Sequence, residues 1–418
     1  SLEVPLWEAP SFYKDNQASQ EFQLTYTGDK VQGVAGLFYM RTNAYNDFDV
    51  LYNAAGGLSL LTHDDIDSKT WAAFVDASYN VSPTFNVNVG ARYTVDKREA
   101  EIFKRTYLGL NSSPLLGNPG AIPAGAPNTD LGKDQLQRED KKFTPKLGFG
   151  WKFAPEQNLY GTWSKGFKGG MFDPRMDLLA TGGPNGVKSS MNGGRLQTNA
   201  AVFYTDYKNV QIPGSIPTFN ASGQVNGFAG SLTNAGKAKI KGLELEAVAY
   251  LTNQLSVSGM YSHIDADYKE WIVASGANLV NIADSVEFQN TPKNSANIAV
   301  NYDWPMTVMG RSGTMSLNNN VSYKGMVYQT EIARPTGVAS LDATIPGNLM
   351  LSQDSYRLWD ASLVWTSSDR KIQVGLHGRN LTDKRYKTAG YNFSGFFNTV
   401  TAFYGDPRTV RATVNVKF

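Results

Sequence analysis

The sequence contains no cysteine, which excludes disulfide bridges and thiolate metal sites. Its charges nearly cancel, with a net charge of +2, so composition gives no reason to expect a nucleic-acid partner. No stretch approaches the roughly 18 consecutive apolar residues of a membrane-spanning helix. The first ten residues have neither the basic start nor the apolar core of a signal peptide. A chain that crosses a membrane with strands stays possible, because strands have a much weaker hydropathy signal.

Candidates for catalysis and metal binding are also scarce. The three histidines, at positions 63, 263 and 377, lie far apart in the sequence, and no catalytic combination accompanies them. We therefore predict a protein that is not an enzyme and has no resident metal or cofactor. The segment "THDDID" (62–67) places His63 beside Asp64, Asp65 and Asp67, a possible cation site. Calcium sites usually show a more regular ligand series with glycine, which favours a solvated loop that enters a strand.

Alternation of apolar and polar residues is abundant. The final segment, "PRTVRATVNVKF" (407–418), places Val410, Val414 and Phe418 on one face and polar residues on the other. The same pattern predicts two faces for strands near 196–205 and 297–303. The residues predicted to face lipid are Leu196, Ala200, Val202, Tyr204, Ile298, Val300 and Tyr302. Those predicted to face the interior are Gln197, Asn199, Thr205, Asn297, Asn301 and Asp303.

The connections between these strands alternate between tight and long. The tight ones are 27–30, 82–84, 155–157, 252–254 and 367–370. The long ones lie around 41–66, 97–139, 168–186, 208–236, 267–289, 325–352 and 381–407. Strands of about 9–14 residues suit a bilayer, which needs about 9–11. We predict an all-β fold, a transmembrane antiparallel β-barrel with short periplasmic turns and long extracellular loops. A soluble β-sandwich or propeller explains neither strand length nor loop pattern.

The strand count suggests that the sequence is incomplete. We count about fifteen strands, whereas bacterial single-chain barrels have even numbers. With tight turns in the periplasm, the first visible strand (19–28) would run downward from the cell exterior. We therefore expect an odd number of strands before Ser1. The stretch 178–197 is short for a strand and its loop, so we also expect residues to be missing near Pro184.

Four segments resemble the barrels of TonB-dependent outer-membrane receptors. They are "SKGFKGGMFDPR" (164–175), "NAGKAKIKGLELEA" (234–247), "GRNLTDKRY" (378–386) and "YGDPRTVRATVNVKF" (404–418). The resemblance implies a Gram-negative outer-membrane barrel of twenty-two strands, of which residues 1–418 would form the C-terminal part. The family's N-terminal plug and energy-coupling box are not recognisable in this sequence.

The resemblance implies import of a scarce ligand, such as siderophore-iron, vitamin B12, haem or an oligosaccharide, with energy supplied through TonB. Passive diffusion through a porin is the alternative, although barrels of about 22 strands are plugged transporters. The implied partners are outer-membrane lipid and lipopolysaccharide, the TonB complex, the barrel-assembly machinery and the ligand. The mixed charges of "VDKREAEIFKR" (95–105) are expected at the extracellular rim, near lipopolysaccharide phosphates.

Ligand contacts in this family come from extracellular loops and the plug. The loop candidates here are aromatic residues and arginines, which can stack on an amphiphilic ligand or pair with its charge. They are Phe167, Phe172, Arg175, Tyr391, Phe393, Phe396, Phe397, Tyr404 and Arg408. The alternative is that these side chains only pack the loops together. Phe418 is predicted to be an assembly signal, because the alternation continues unbroken to the carboxyl end.

Overall fold

The computed structural model describes residues 8–52, 57–110, 112–122, 129–166, 184–191, 195–208, 210–219, 225–234, 236–275, 278–394 and 399–417. The first eleven strands are β1 Ser11–Thr27, β2 Val31–Tyr52, β3 Leu58–Ser82, β4 Phe85–Leu108, β5 Thr129–Leu131, β6 Gln137–Ala154, β7 Gln157–Ser164, β8 Pro184–Met191, β9 Leu196–Lys208, β10 Gln211–Phe219 and β11 Val225–Asn234. The others are β12 Lys237–Tyr250, β13 Leu255–Glu270, β14 Ile272–Ser275, β15 Asn278–Asn281, β16 Asn294–Val308, β17 Arg311–Lys324, β18 Tyr356–Ser367, β19 Ile372–Arg379, β20 Lys387–Phe393, β21 Thr399–Tyr404 and β22 Thr409–Val416. The helices are a 3-10 turn at Ala283–Ser285, α1 Ala339–Asp342 and α2 Ile345–Leu351. None of the helices in these ranges is long and apolar enough to cross a membrane.

One antiparallel sheet organises the described chain. It has 16 strands and the order β1-β2-β3-β4-β6-β7-β8-β9-β12-β13-β16-β17-β18-β19-β22, with β5 added beside β4. This path confirms the predicted count of about fifteen. The remaining strands form the separate hairpins β10–β11, β14–β15 and β20–β21 within the long connections. The segment around β8 pairs with both β7 and β9, and the expectation of missing residues near Pro184 stays a prediction.

The tight turns lie where the sequence predicted them, all at one end of the sheet. One further tight turn, between β16 and β17, was not predicted. Its residues Met309 and Gly310 both have left-handed backbone conformations, with φ of 48° and 76°. Glycine adopts that region readily and methionine does not, so only half of this turn has a sequence signal. We call the opposite end of the sheet, which carries the long connections, the loop end.

The two faces of the sheet differ as predicted. Val202 is 58% exposed and Ile298 57% exposed, and both belong to an apolar face. The strand register aligns such residues into rows across the sheet. One row runs Phe22–Leu37–Ala73–Tyr93–Phe143 through five neighbouring strands. A continuous exposed apolar band of this kind is unfavourable in water and is what a lipid-facing surface requires.

Strand length corrects one prediction. β2, β3 and β4 have 22, 25 and 24 residues, well beyond the expected 9–14. The expectation of a loop over 41–66 is therefore wrong for most of its length, and residues 62–67 lie inside β3. The reason is that paired strands keep their hydrogen-bond ladder beyond the bilayer, where polar side chains occupy both faces.

The loop end has a small hydrophobic core of its own. Tyr268 stacks on Phe288 with ring centroids 4.2 Å apart, and Trp271 packs edge-on against Tyr268 at 4.9 Å. Its buried members are Val210, Ala238, Tyr268, Trp271, Ile282, Ala283, Val286 and Val338. Because these residues come from the ends of β12 and β13 and from several long connections, the core holds those connections to the sheet.

Candidate functional site

The connection between β19 and β22 begins with a side-chain clamp at Asn380. This residue is 4% exposed, and its backbone N–H donates to Asp360 Oδ1 at 2.8 Å. Its Nδ2 donates to the carbonyl oxygens of Lys384 (2.9 Å) and Asp406 (3.0 Å), and its Oδ1 accepts the N–H of Lys384 at 2.8 Å. One amide therefore joins the start of the loop to its end, and we call this set of contacts the Asn380 clamp.

A second contact closes the loop at the same place. Asn380 and Asp383 both have left-handed backbones, with φ of 47° and 52°, and asparagine and aspartate tolerate this region better than most residues. The carboxylate oxygen Oδ1 of Asp383 accepts the N–H of Arg408 at 2.9 Å. The segment "NLTDKRY" therefore forms a turn, and its asparagine and aspartate occupy the two positions that need a left-handed backbone.

The β20–β21 hairpin rises from this base and rests on α2. Gly390 faces Leu351 so closely that a Cβ has no room. Two residues along, the side-chain amide of Asn392 donates to the carbonyl oxygen of Thr344 (2.9 Å) and to Asn348 Oδ1 (2.7 Å). The face of the hairpin that carries Gly390 and Asn392 is therefore fixed against α2. The alternate residues of the same strands have their side chains on the other face, away from α2.

That opposite face presents two aromatic rings. Tyr391 is 56% exposed and Phe403 is 50% exposed. Their ring centroids lie 6.0 Å apart with an interplanar angle of 88°, an edge-to-face pair. We call Tyr391 and Phe403 the hairpin pair. Exposed rings held on a fixed backbone offer a surface on which an aromatic or amphiphilic ligand can stack.

Nearer the base, aromatic residues combine with a cation. The guanidinium carbon of Arg385 lies 4.1 Å from the ring centroid of Tyr404, a cation–π contact. Tyr386 stacks on Tyr356 with centroids 4.7 Å apart. Sequence analysis missed Arg385, and the available signal was its position directly after "NLTDK".

The structure describes the side chains of three of the nine predicted ligand residues, and it places them apart. Tyr391 belongs to the hairpin pair, Tyr404 lies under Arg385, and exposed Arg408 lies at the base, so these three do not form one cluster. Phe393 lies in β20, but its side chain is outside the description. The candidates Phe167, Phe172, Arg175, Phe396 and Phe397, and the terminal Phe418, lie outside the described residues.

Two carboxyl groups in the connection between β17 and β18 have pKa values that differ from the ordinary ones. Hydrogen bonds from the hydroxyl and N–H of Thr336, both 2.7 Å long, hold the pKa of Asp342 below its usual value. Burial raises the pKa of Glu331 above its usual value. Asp342 therefore fixes its turn as a carboxylate, whereas the environment of Glu331 favours the neutral acid.

The possible cation site at 62–67 already has internal partners. His63 Nδ1 lies 2.7 Å from Asp47 Oδ1. The ammonium group of Lys133 donates to Asp65 at 2.7 Å and to Asp67 at 2.8 Å. Within the described ranges, no group of three or more histidine, aspartate or glutamate residues is placed to hold a metal ion. The ammonium group of Lys133 therefore occupies the place beside Asp65 and Asp67 where a metal cation would bind.

Sequence comparison adds named relatives. The pesticin receptor of Yersinia enterocolitica is 26% identical over 388 residues, which cover 90% of this chain and 48% of the receptor. The metal-pseudopaline receptor CntO of Pseudomonas aeruginosa is 31% identical over 155 residues, or 35% of this chain and 20% of that protein. The chain spans about half the length of the pesticin receptor that it matches.

Solved structures share the fold. The ferric yersiniabactin uptake receptor FyuA from Yersinia pestis aligns with a TM-score of 0.71 at 20% identity, over 99% of this chain and 56% of that one. The ferric-catecholate import receptor Fiu from K12 E. coli, in its closed form, gives 0.59 at 14% identity, over 98% and 64%. The family model "TonB dependent receptor-like, beta-barrel" matches residues 7–381. The chain therefore belongs to the TonB-dependent receptor family, whose β-barrels lie in the outer membrane of Gram-negative bacteria.

Proposed function

We propose that the whole protein imports a metal–siderophore complex across the outer membrane, with energy supplied through TonB. The observation that carries the proposal is the family match over residues 7–381. The names of relatives support the ligand class, since they include a metal-pseudopaline receptor and a ferrioxamine receptor. The relatives are receptors and transporters, and the proposal includes no enzymatic activity.

The hairpin pair is proposed as part of the ligand contact. Its two rings are exposed at the loop end, which faces outside the cell in this family's topology, and the backbone that bears them is fixed to α2. Many iron chelates are amphiphilic, so ring surfaces and a nearby cation such as Arg385 suit them. Tyr404 and Arg408, nearer the base, are proposed to contact a ligand that enters further.

The proposal also includes parts of the protein that these residues do not contain. A plug and further strands on the N-terminal side of Ser1 would complete the barrel and provide the contact with TonB. Support comes from the length of the pesticin receptor, of which this chain covers 48%. We further propose insertion by the barrel-assembly machinery, with Phe418 as its signal, and lipopolysaccharide as a neighbour in the membrane.

The test uses the full-length gene product in cells that make no siderophore of their own. Uptake of radioactive iron is measured with hydroxamate, catecholate and phenolate chelates, in the presence and absence of TonB. We expect at least one chelate to be imported only with TonB, while surface binding persists without it. A double variant, Tyr391→Ser with Phe403→Ser, should reduce that binding by about tenfold, equal to about 1.4 kcal/mol for two lost ring contacts.

A matched control tests the location of the ligand contact. Tyr302→Ser with Tyr204→Ser removes two exposed rings from the apolar face instead of the loop end, and it should leave chelate binding unchanged. Uptake that continues without TonB, together with a large steady conductance of the purified full-length protein, would establish a porin and contradict the proposal.

A further inference from the structure

A row of three cations crosses β2, β3 and β4 on the apolar face near the loop end. The register places Arg41 directly opposite Lys69, and Lys69 directly opposite Lys97. All three side chains are exposed. Lys141 on β6 lies one row lower, opposite Val95. We call Arg41, Lys69 and Lys97 the basic row.

Aromatic residues lie immediately below the basic row. Tyr39 is opposite Trp71 in the next row toward the tight-turn end, and their ring centroids are 4.3 Å apart. Tyr93 and Phe143 follow, opposite each other and exposed. Rings at this height mark the interface between hydrocarbon and head groups. The basic row therefore lies at the level of lipid head groups.

Like charges directly opposite each other on neighbouring strands destabilise a sheet. Here the nearby carboxylates neutralise the repulsion only in part. Lys97 lies 2.8 Å from Glu139, which it shares with Lys141. Within the described chain, Lys69 at the centre of the row has no hydrogen-bond or ion-pair partner.

The row above supplies little further compensation. Arg41 is 3.8 Å from Asp67, whose carboxylate is already bound by Lys133 at 2.8 Å. Glu99 lies opposite Asp67, one row farther from the aromatic residues. The cations therefore lie closest to the membrane, and the carboxylates Asp67 and Glu99 lie beyond them.

Another part of the same rim shows a different arrangement. On β12 and β13, Lys241 is directly opposite Asp265, and Lys239 is directly opposite Asp267. The Lys241–Asp265 distance is 2.9 Å. These lysines lie on the same face and near the same end as the basic row. The sheet thus neutralises lysines by cross-strand pairing at one place and leaves cations facing cations at the other.

We propose that the basic row binds the phosphates of an acylated glycolipid in the outer leaflet, the lipid A part of lipopolysaccharide. Three strands spaced about 4.8 Å apart place the cations over roughly 10 Å, which suits a head group with more than one phosphate. The acyl chains would lie on the apolar band beneath Trp71 and Tyr93. The inference rests on the outer-membrane location and is independent of the imported ligand.

The structure sharpens the expectation for residues 95–105. Of the charged residues near its start, Lys97 belongs to the basic row, whereas Arg98 points to the opposite face and donates to Asp96 at 3.0 Å. A lipid phosphate is therefore expected to contact Lys97 and not Arg98.

The test measures lipid binding to the full-length protein, purified in detergent and stripped of lipopolysaccharide. The probes are lipid A with two phosphates, the same lipid without phosphates, and inorganic phosphate. We expect the wild type to prefer phosphorylated lipid A, and Lys69→Gln with Lys97→Gln to weaken its binding about thirtyfold. The matched control, Lys239→Gln with Lys241→Gln, should bind as the wild type does.

Folding and function are checked separately. Heat-modifiable mobility on gels reports a folded barrel, and Lys69→Arg with Lys97→Arg should retain lipid A binding. Equal affinity of the wild type and the Gln variant, or equal affinity for the lipid without phosphates, would overturn the proposal. Binding of inorganic phosphate with no preference for lipid A would overturn it as well. Chelate uptake by the folded Gln variant should stay at wild-type level, so the failure of one proposal leaves the other testable.

Discussion

The polar face of the sheet has charged side chains in one region and neutral side chains in another. Alternation of apolar and polar residues predicts the polar face but not which of the two kinds of contact forms there. Between β3 and β6 the polar face is charged. Asp96, which is 4% exposed, accepts hydrogen bonds from Thr70 Oγ1 at 2.7 Å and from Arg98 Nε at 3.0 Å. Lys146 on β6 reaches Asp76 on β3 at 2.8 Å, and this ion pair spans the strand between them.

Two glycines lie in or beside this charged region, at places where a neighbouring side chain covers the backbone. At Gly90 on β4, a Cβ would lie 2.7 Å from the Asp76 carboxylate, so a larger residue there would displace that side chain from its present position. At Gly36 on β2, the ring of Phe74 covers the backbone. The guanidinium carbon of Arg92 lies 5.7 Å from the centroid of that ring.

Between β13 and β18 the polar face has hydroxyl–amide pairs instead. Asn318 donates to Ser362 at 3.2 Å, and Asn301 donates to Ser256 at 3.5 Å. Such pairs are neutral and join strands that are direct neighbours. Ion pairs in the charged region are therefore expected to respond to salt, whereas these neutral hydrogen bonds are not.

The largest expected effect is from Gly36→Ala. The new Cβ would lie 2.5 Å from Phe74 Cζ and 2.6 Å from the backbone oxygen of Phe22, and the backbone atom cannot move aside. We expect a loss of about 2–3 kcal/mol in the free energy of unfolding, measured by urea titration of the folded barrel. The control is Gly259→Ala, where the nearest atom is 3.7 Å away. Equal stability of the two variants would show that close packing against Gly36 does not contribute to the stability of the barrel.

Asp96→Asn should have the next largest effect. It removes the charge that Arg98 meets at a buried position, while the amide keeps the shape of the side chain. We expect about 1–2 kcal/mol of destabilisation by the same measurement.

Asn318→Ala in the neutral region should cost about 0.5–1 kcal/mol, because it removes one exposed neutral hydrogen bond. A larger loss of unfolding free energy from Asn318→Ala than from Asp96→Asn would contradict the expectation that the charged region contributes more to stability than the neutral region.

Lys146→Met should have the smallest effect, because both side chains of its ion pair are 43% exposed. We expect a loss of about 0.5 kcal/mol at low ionic strength. In 1 M salt the Debye length falls to about 3 Å, so the difference from wild type should disappear. The effect of Asn318→Ala should be the same in both salts. A salt-independent loss for Lys146→Met would mean that packing, and not charge, holds Asp76 and Lys146 together.

The sequence pattern was sufficient to predict where most sheet strands lie, their two faces and most tight turns, because each depends on neighbouring residues, but it underestimated the length of β2, β3 and β4. It failed where the structure depends on distant ones. The Asp76–Lys146 pair joins residues on two strands that are not neighbours, and only the register across β4 brings them together. The same limit applies to the candidate site. Aromatic composition indicated Tyr391 and Tyr404, but their partners Phe403 and Arg385 follow from the hairpin register and the turn at Asn380.

The Asn380 clamp has a consequence for how this protein can change. Because a side-chain amide and a carboxylate close the loop at its base, strands β19 and β22 stay in register whatever lies between. Doubling the length of a closed flexible loop costs only about 0.6 kcal/mol. We therefore expect that a hairpin with a different binding surface can replace segment 387–404 without altering the pairing of β19 with β22. The ligand-contacting hairpin can then vary while the strands of the sheet stay as they are, because Asn380 fixes the boundary between them.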